Sequence, residues 1–278
     1  MGIGRPDIRL GELKQQVREF WNASPCGTEV SLQEKLSQAY FEDIESYRYE
    51  SEPQIFAFAQ FSRFFGKKVL EVGVGAGTDF LQWVRSGARA YGVDLTSNGV
   101  EHVRKRLELY GLQAEELRVA DCENLPYGND EFDLVYSWGV IHHTPDTEKA
   151  LREIVRVVRP GGLCKIMVYH RHSLAVLYLW LKQALLRMRP WKSPAWCLAH
   201  YQESPGTKAY TRRELAALLS NLPLQQVRIR TWLTYCDTLE KSRKPSVRLF
   251  GKACASLFGR DRFGWFLTAE FRKVSHSA

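Results

Sequence analysis

A short apolar run that ends abruptly in glycine constrains this chain more than any other feature. Lys68-Val69-Leu70-Glu71-Val72 leads into Gly73-Val74-Gly75-Ala76-Gly77, and Thr78 to Arg85 then has the spacing of a helix. A strand that enters closely spaced glycines and leaves as a helix brings bare backbone against a ligand, at the end of the helix where free N–H groups point outward. The unit is followed by others of the same kind. Residues 90–95 read as a second strand and 99–112 as a helix, 116–120 as a third strand, 132–137 as a fourth, 147–158 as a helix and 163–169 as a fifth strand. Strands alternating with helices at this spacing build a parallel sheet with helices on both faces.

The flanks differ. Residues 1–65 read as helical: 7–21 carries Ile8, Leu10, Leu13, Val17 and Phe20 near helical spacing, Ser24-Pro25-Cys26-Gly27 breaks it, and further helices are expected at 31–46 and 53–65. Beyond Tyr169 the alternation lapses. A helix is expected over 173–188, then a loose segment with Pro190, Pro194 and Pro205, then a helix over 211–219 opened by a Thr211/Glu214 capping box. Residues 226–232 and 265–271 are β-like and could close the sheet as an antiparallel pair. The insert at about 170–210 would sit over the carboxyl edge of the sheet, where ligands bind in this architecture. The expected division is therefore a helical cap over 1–65 and an α/β domain over 66–278.

Composition excludes little beyond disorder: 45% of residues are hydrophobic and 25% charged, the mix of an ordinary globular protein. The charge is uneven. Residues 1–160 hold 19 Lys/Arg against 25 Asp/Glu, a balance of −6, and residues 161–278 hold 20 against 6, a balance of +14. The basic half is either a solvated exterior or a surface for an anionic partner, whether small acceptor, phospholipid or nucleic acid. Six scattered cysteines without C-x-x-C spacing read as reduced thiols of a cytoplasmic protein, with no metal-ligand set. The charged first twenty residues do not read as a secretory signal, and the longest apolar stretch, 174–181, is far below the ~20 residues that span a bilayer.

The loop itself narrows the ligand. A dinucleotide fingerprint is G-x-G-x-x-G, but here the glycines fall at 73, 75 and 77, one place early for the third. Glu71 would repel a pyrophosphate, whereas it suits a ligand bearing an ammonium and a sulfonium. Asp94 ends the second strand, 21 residues after Gly73, where a carboxylate accepts both ribose hydroxyls. Leu95 adjoins it. Asp121, after the third strand, is placed to reach an adenine amino group, with Cys122 or Glu123 beside it.

Taken in order, residues 69–78, Gly92-Val93-Asp94, Ala120-Asp121, Leu125-Pro126-Tyr127, Phe132-Asp133-Leu134-Val135 and Arg156-Val157-Val158-Arg159-Pro160-Gly161-Gly162 resemble the successive motifs of the class I S-adenosylmethionine-dependent methyltransferases, in the small-molecule branch called type 11. The resemblance covers about residues 66–170. It implies a Rossmann-like, doubly wound, seven-stranded and mostly parallel sheet with a reversed last strand, and S-adenosyl-L-methionine as cofactor. It further implies cofactor contacts at Glu71, Gly73, Gly75, Gly77, Asp94 and Asp121, and backbone contacts near Ser137 to Gly139. Phe20-Trp21-Asn22-Ala23-Ser24-Pro25-Cys26-Gly27 and Tyr47-Arg48-Tyr49-Glu50-Ser51-Glu52-Pro53 resemble a bacterial subset whose N-terminal helices cap the cofactor. Trp21, Tyr47 and Arg48 are then the cap candidates, with core packing as the alternative reading.

Methyl transfer needs an aligned acceptor, a dry site and, where the acceptor bears a proton, a base. His142 and His143 follow the fourth strand and are the first candidates, although two adjacent histidines on one turn cannot both face one pocket. Tyr169, His170 and Arg171 end the fifth strand and could orient the acceptor. No Asn/Asp-Pro-Pro-Tyr turn follows strand four, and Cys26 lies among the N-terminal helices, so methylation of a nucleic-acid base is disfavoured. The expected activity is methylation of a small molecule. RNA methylation and nucleoside binding without turnover are the alternatives. The apolar run 174–182, trailed by Arg187, Arg189, Trp191 and Lys192, suits a greasy or anionic acceptor or peripheral membrane contact, or else simply packs on the lid.

Overall fold

The computed structural model of the chain describes residues 10–258 and 262–275. Three helices precede the sheet: α1 (Leu10–Ala23), α2 (Gln38–Ser51) and α3 (Gln54–Ala59). The second starts seven residues later than expected. Leu36 takes a left-handed φ of 65°, and the Ser37 hydroxyl then accepts from the Tyr40 N–H, which fixes the helix start there.

The predicted alternation follows: β1 (Lys68–Val72), α4 (Thr78–Arg85), β2 (Arg89–Asp94), α5 (Ser97–Leu109), β3 (Glu116–Val119), β4 (Phe132–Trp138), α6 (Thr147–Val157) and β5 (Val158–Tyr169). After β5 come α7 (Leu174–Gln183), a single 3-10 turn over Leu185–Arg187 and α8 (Pro194–Tyr201). The chain then runs through α9 (Arg212–Ser220), β6 (Leu224–Trp232), α10 (Tyr235–Thr238), α11 (Pro245–Phe258) and β7 (Phe266–Lys273). The expected Thr211/Glu214 capping box is present. Three helices were not foreseen. Prolines had argued for a loose segment around 190–205, yet Pro194 stands in the first turn of α8 with Ser193 as its cap, the one place a helix accepts proline readily. The short α10 and the variably patterned α11 carry little periodic signal.

The seven strands lie in the order β3-β2-β1-β4-β5-β7-β6. β1 to β5 pair in parallel, and β7 runs antiparallel to both β5 and β6. Alternate residues face two cores. Val69, Leu134 and Tyr136 pack under α3, α4 and α5, whereas Leu70, Val135 and Ile166 pack on α6 and α9. The strand order reverses between β1 and β4, which opens a crevice at their carboxyl ends.

Two buried cations tie the N-terminal helices over that crevice. Arg106 of α5, fully buried, donates to the Phe41 carbonyl and Glu45 of α2 and to the Ala76 carbonyl and Thr78 hydroxyl around the glycine loop. Lys165 of β5 donates to the carbonyls of Phe58 and Ala59 at the end of α3 and pairs with Glu270 of β7 at 3.3 Å. A buried charge is tolerable only when it is paired and hydrogen-bonded.

Candidate active site

The crevice holds a cavity of about 280 Å³ bounded by the glycine loop, the ends of β2, β4 and β5, α1, α2 and the segment after α8. The three glycines do different things. Gly73 sits at φ +84°, and a Cβ there would lie 2.2 Å from the Val140 side chain. Gly75 sits at φ +51° on the cavity wall, and a Cβ there would meet no atom of the protein, so its bare face borders open space. Gly77 caps α4 at φ +76°, with Val103 2.9 Å from where its Cβ would be. It serves close packing of α4 on α5 and does not line the cavity.

Asp94 is held by three donors. Gly75 N–H reaches Oδ2 at 2.9 Å, and the Thr96 N–H and hydroxyl reach Oδ1 at 2.9 and 2.7 Å. The carboxylate is thereby locked at the cavity edge with lone pairs to spare, and burial raises its pKa above the usual value. Leu95 lies beside it on the wall, as expected.

Beneath the glycine loop is a cluster of acids. Glu71 is 4% exposed, and its Oε2 has no hydrogen-bond partner. Asp79, at the start of α4, accepts from the Tyr136 hydroxyl at 2.8 Å and pairs with Arg48 of α2 at 3.1 Å. Arg48 also pairs with Glu52 at 3.5 Å, and Trp138 Nε1 donates to Glu52 at 2.8 Å. Glu52, Glu71 and Asp79 thus share one guanidinium. Burial, reinforced by Asp79, pushes the Glu71 carboxyl well above the ordinary carboxylate range despite Arg48. A buried carboxyl with a spare oxygen and too little positive charge around it lacks a cation.

Asp121, Cys122, Trp21 and Tyr47 also line the cavity, so the structure brings the expected cap and adenine-side residues together. One feature there was not foreseen. Lys14 of α1 reaches Asp121 and Glu123, each at 2.6 Å, and fastens α1 to the loop after β3. At the end of β4, Trp138 and Gly139 form the wall, while the Ser137 hydroxyl points away, fully buried without a partner.

Residues 70–166 match the family described as methyltransferase domain. Methyltransferase GfsG of Streptomyces halstedii is 37% identical over 100 residues, which are 35% of this chain and 36% of that protein. The phthiotriol/phenolphthiotriol dimycocerosates methyltransferase of Mycobacterium leprae is 40% identical over 99 residues, again 35% and 36% of the two chains. The match thus spans about a third of the length of these curated relatives. Over residues 70–166 the chain thus carries a methyltransferase domain. The fold extends the likeness beyond the matched segment. The geranyl diphosphate C-methyltransferase of Streptomyces coelicolor A3(2) shares it with a TM-score of 0.59 over 94% of this chain and 98% of that one, at 14% identity.

The site fits the cofactor of this family. The unpartnered Glu71 oxygen, the open face of Gly75 and the fixed Asp94 carboxylate are what a cationic nucleoside requires.

The other half of the cavity is walled by Trp21, Trp138, Tyr169, Tyr235, Trp265 and Phe266. Into it comes Glu203, carried by the segment after α8. The Tyr169 hydroxyl stands 2.8 Å from both of its oxygens, and His143 Nε2 stands 3.3 Å from Oε2. Burial alone would raise Glu203, but these donors outweigh it and hold the carboxyl below its usual value. Tyr169 moves the other way: burial and Glu203 push its phenol well up, so it keeps its proton and acts as a donor. Glu203 has a left-handed φ of 53°, a strained backbone for an acid and a frequent mark of a functional position.

His143 Nδ1 lies between two hydroxyls. The Thr207 hydroxyl, which gives its proton to the Ser204 carbonyl at 2.6 Å, stands 3.0 Å from it, and the Ser204 hydroxyl stands 2.9 Å from it. Nε2 faces Glu203. His142 does not reach the cavity. It is fully buried behind its neighbours, with ring centroids 4.2 Å from His143 and 4.0 Å from Tyr169, and neither ring nitrogen has a partner. Burial holds its pKa well below the ordinary value, so it packs as a neutral ring. No periodicity in the chain marks Glu203. Its one signal was chemical, as one of only six acids among residues 161–278.

Proposed function

We propose that this methyltransferase methylates a small, largely apolar acceptor bearing an ionisable proton, and that His143 takes that proton. The observation that carries the reading is the Glu203–His143–Tyr169 group at the aromatic end of the cavity, with His143 Nε2 facing Glu203 and Nδ1 held by the Thr207 and Ser204 hydroxyls.

Glu71, Gly73, Gly75, Asp94 and Asp121 would hold the cofactor, with Trp21, Tyr47 and Arg48 above it. When bound, S-adenosylmethionine supplies a methyl group already activated by the sulfonium. The protein's own part is alignment and proton management. The aromatic walls seat an apolar acceptor and keep the site dry. His143 accepts the acceptor's proton, and Glu203, 3.3 Å from Nε2, stabilises the imidazolium that forms. Tyr169 and Ser204 hold Glu203 and His143 in register. A curated relative named for phthiotriol and phenolphthiotriol dimycocerosates is in keeping with an apolar acceptor.

The test is transfer of tritiated methyl groups from S-adenosylmethionine to a panel of hydroxylated aromatic and long-chain compounds. With any acceptor that turns over, His143→Asn should lower kcat by about 10² to 10⁴ while cofactor affinity stays within threefold of the parent, the range for loss of a general base. Unchanged kcat in His143→Asn refutes the assignment.

A further inference from the structure

We infer that the outward face formed by residues 184–192 and α11 docks the protein on an anionic lipid surface. Single exposed apolar side chains need no explanation. Here they are concentrated on two neighbouring segments. Leu186, Met188 and Trp191 are 77%, 81% and 74% exposed, and Leu249 and Leu257 of α11 are 72% and 81% exposed. Both are held by α7: its Tyr178 meets Phe250 of α11 at 6.2 Å, and its Trp180 donates to the Lys192 carbonyl.

The first segment is not slack chain. Arg189 N–H donates to the Ala184 carbonyl at 2.8 Å, Lys192 N–H to the Arg189 carbonyl at 3.0 Å, and Trp180 Nε1 to the Lys192 carbonyl at 2.8 Å. The backbone is satisfied internally while its largest apolar side chains face solvent. Such a turn is built to present them.

Charge decides the occupant. Residues 184–192 contain Arg187, Arg189 and Lys192, residues 242–258 contain Arg243, Lys244, Arg248 and Lys252, and neither stretch contains an Asp or Glu. Among the described residues, the ion pair formed from this set is Lys252 with Glu240 at 3.7 Å, both about 60% exposed. A second copy would set seven cations against seven. A nucleic acid would answer the charge but leave the leucines, Met188 and Trp191 in water. An anionic bilayer interface answers both, because apolar side chains enter the acyl boundary while the cations meet headgroups. No helix among the described residues is long and apolar enough to cross a membrane, so the contact is peripheral. The same part of the chain reaches the cavity: α10, next to α11, contributes Tyr235 and Cys236 to its wall, and the segment after α8 contributes Gln202 and Glu203. Docking would place the acceptor end of the site beside the lipid.

The test is co-sedimentation of the full chain with phosphatidylcholine vesicles with and without phosphatidylglycerol, across a salt series. Binding at least tenfold tighter to the anionic vesicles and weakening with salt is expected. A Leu186→Ser/Met188→Ser/Trp191→Ser variant, whose changed side chains contact little of the fold, should bind at least tenfold more weakly with an unchanged melting temperature. Trp191→Phe should bind normally but lose part of the fluorescence quenching by brominated acyl chains. Three results would overturn the proposal: no preference for anionic vesicles, undiminished binding by the triple variant, or binding of a single-stranded RNA homopolymer without vesicle binding. A concentration-dependent dimer abolished by the same variant would overturn it too.

Discussion

Replacing Glu71 by Gln changes one atom in the cavity and should remove the pH dependence of cofactor binding. Glu71 is buried with one unpartnered oxygen, and burial and Asp79 together hold its proton to well above the ordinary carboxylate range. A cationic ligand reverses that balance by stabilising the ionised form. Between the bound and free pKa values, binding then releases one proton, and affinity rises about tenfold per pH unit, or about 1.4 kcal/mol. Above that window the charge contact is fully available. A unit pair at about 4 Å in an effective dielectric near 20 is worth roughly 4 kcal/mol. Part is lost to desolvation, so Glu71→Gln should weaken binding by on the order of 10² to 10³ there, and much less at lower pH. Isothermal titration with S-adenosylmethionine in two buffers of different ionisation enthalpy reads the proton count directly. The same proton release in Glu71→Gln, or none in the parent, would show the reasoning to be wrong. The ligand-free protein gives a second reading with its own sign. A raised carboxyl pKa means the folded chain binds this proton more tightly than the unfolded chain. Stability therefore falls as pH climbs past 4.5 toward the folded value, and Glu71→Gln should flatten that fall.

The loop glycines should separate fold from ligand. Gly73→Ala forces a Cβ to 2.2 Å from Val140 at φ +84° and should cost about 2–5 kcal/mol in urea unfolding, from overpacking plus left-handed strain. Gly75→Ala meets no protein atom, so it should cost only about 1–2 kcal/mol of strain yet weaken cofactor binding at least tenfold, and equal losses of stability would contradict the assigned roles. His170 is buried with its Nδ1 against the Gly264 carbonyl, and burial lowers its pKa to about 4. The unfolded chain takes up this proton near pH 6.5, so stability should drop as pH falls from about 6.5 to 4, by roughly 2–3 kcal/mol in all. His170→Gln should show a shallower loss between those pH values by chemical denaturation. Glu203→Gln keeps a partner for the Tyr169 hydroxyl but not the charge, and kcat should fall at least tenfold with the melting temperature nearly unchanged.

Local pattern carried the cofactor half of this protein. Strand and helix periods, the glycines at 73, 75 and 77, Glu71 before them and Asp94 at the next strand end all act within one βαβ unit. Their geometry is set by neighbours in the chain, so the sequence by itself determined the sheet, the loop and the placing of Glu71 and Asp94 beside it. It also determined that Thr211 opens a helix, since a capping box is complete within four residues. Other features depended on contacts between distant segments. Lys14 meets Asp121 across 107 residues, Arg48 meets Asp79 across 31, and Glu203 meets Tyr169 across 34. No periodicity records such pairings, because they follow from how the cap and the lid fold back over the sheet. The two adjacent histidines show the division most plainly. Sequence could say that only one of them faces the pocket. Tertiary packing chose His143, by burying His142 under Tyr169 and by giving His143 the Ser204, Thr207 and Glu203 contacts that only a folded lid can supply.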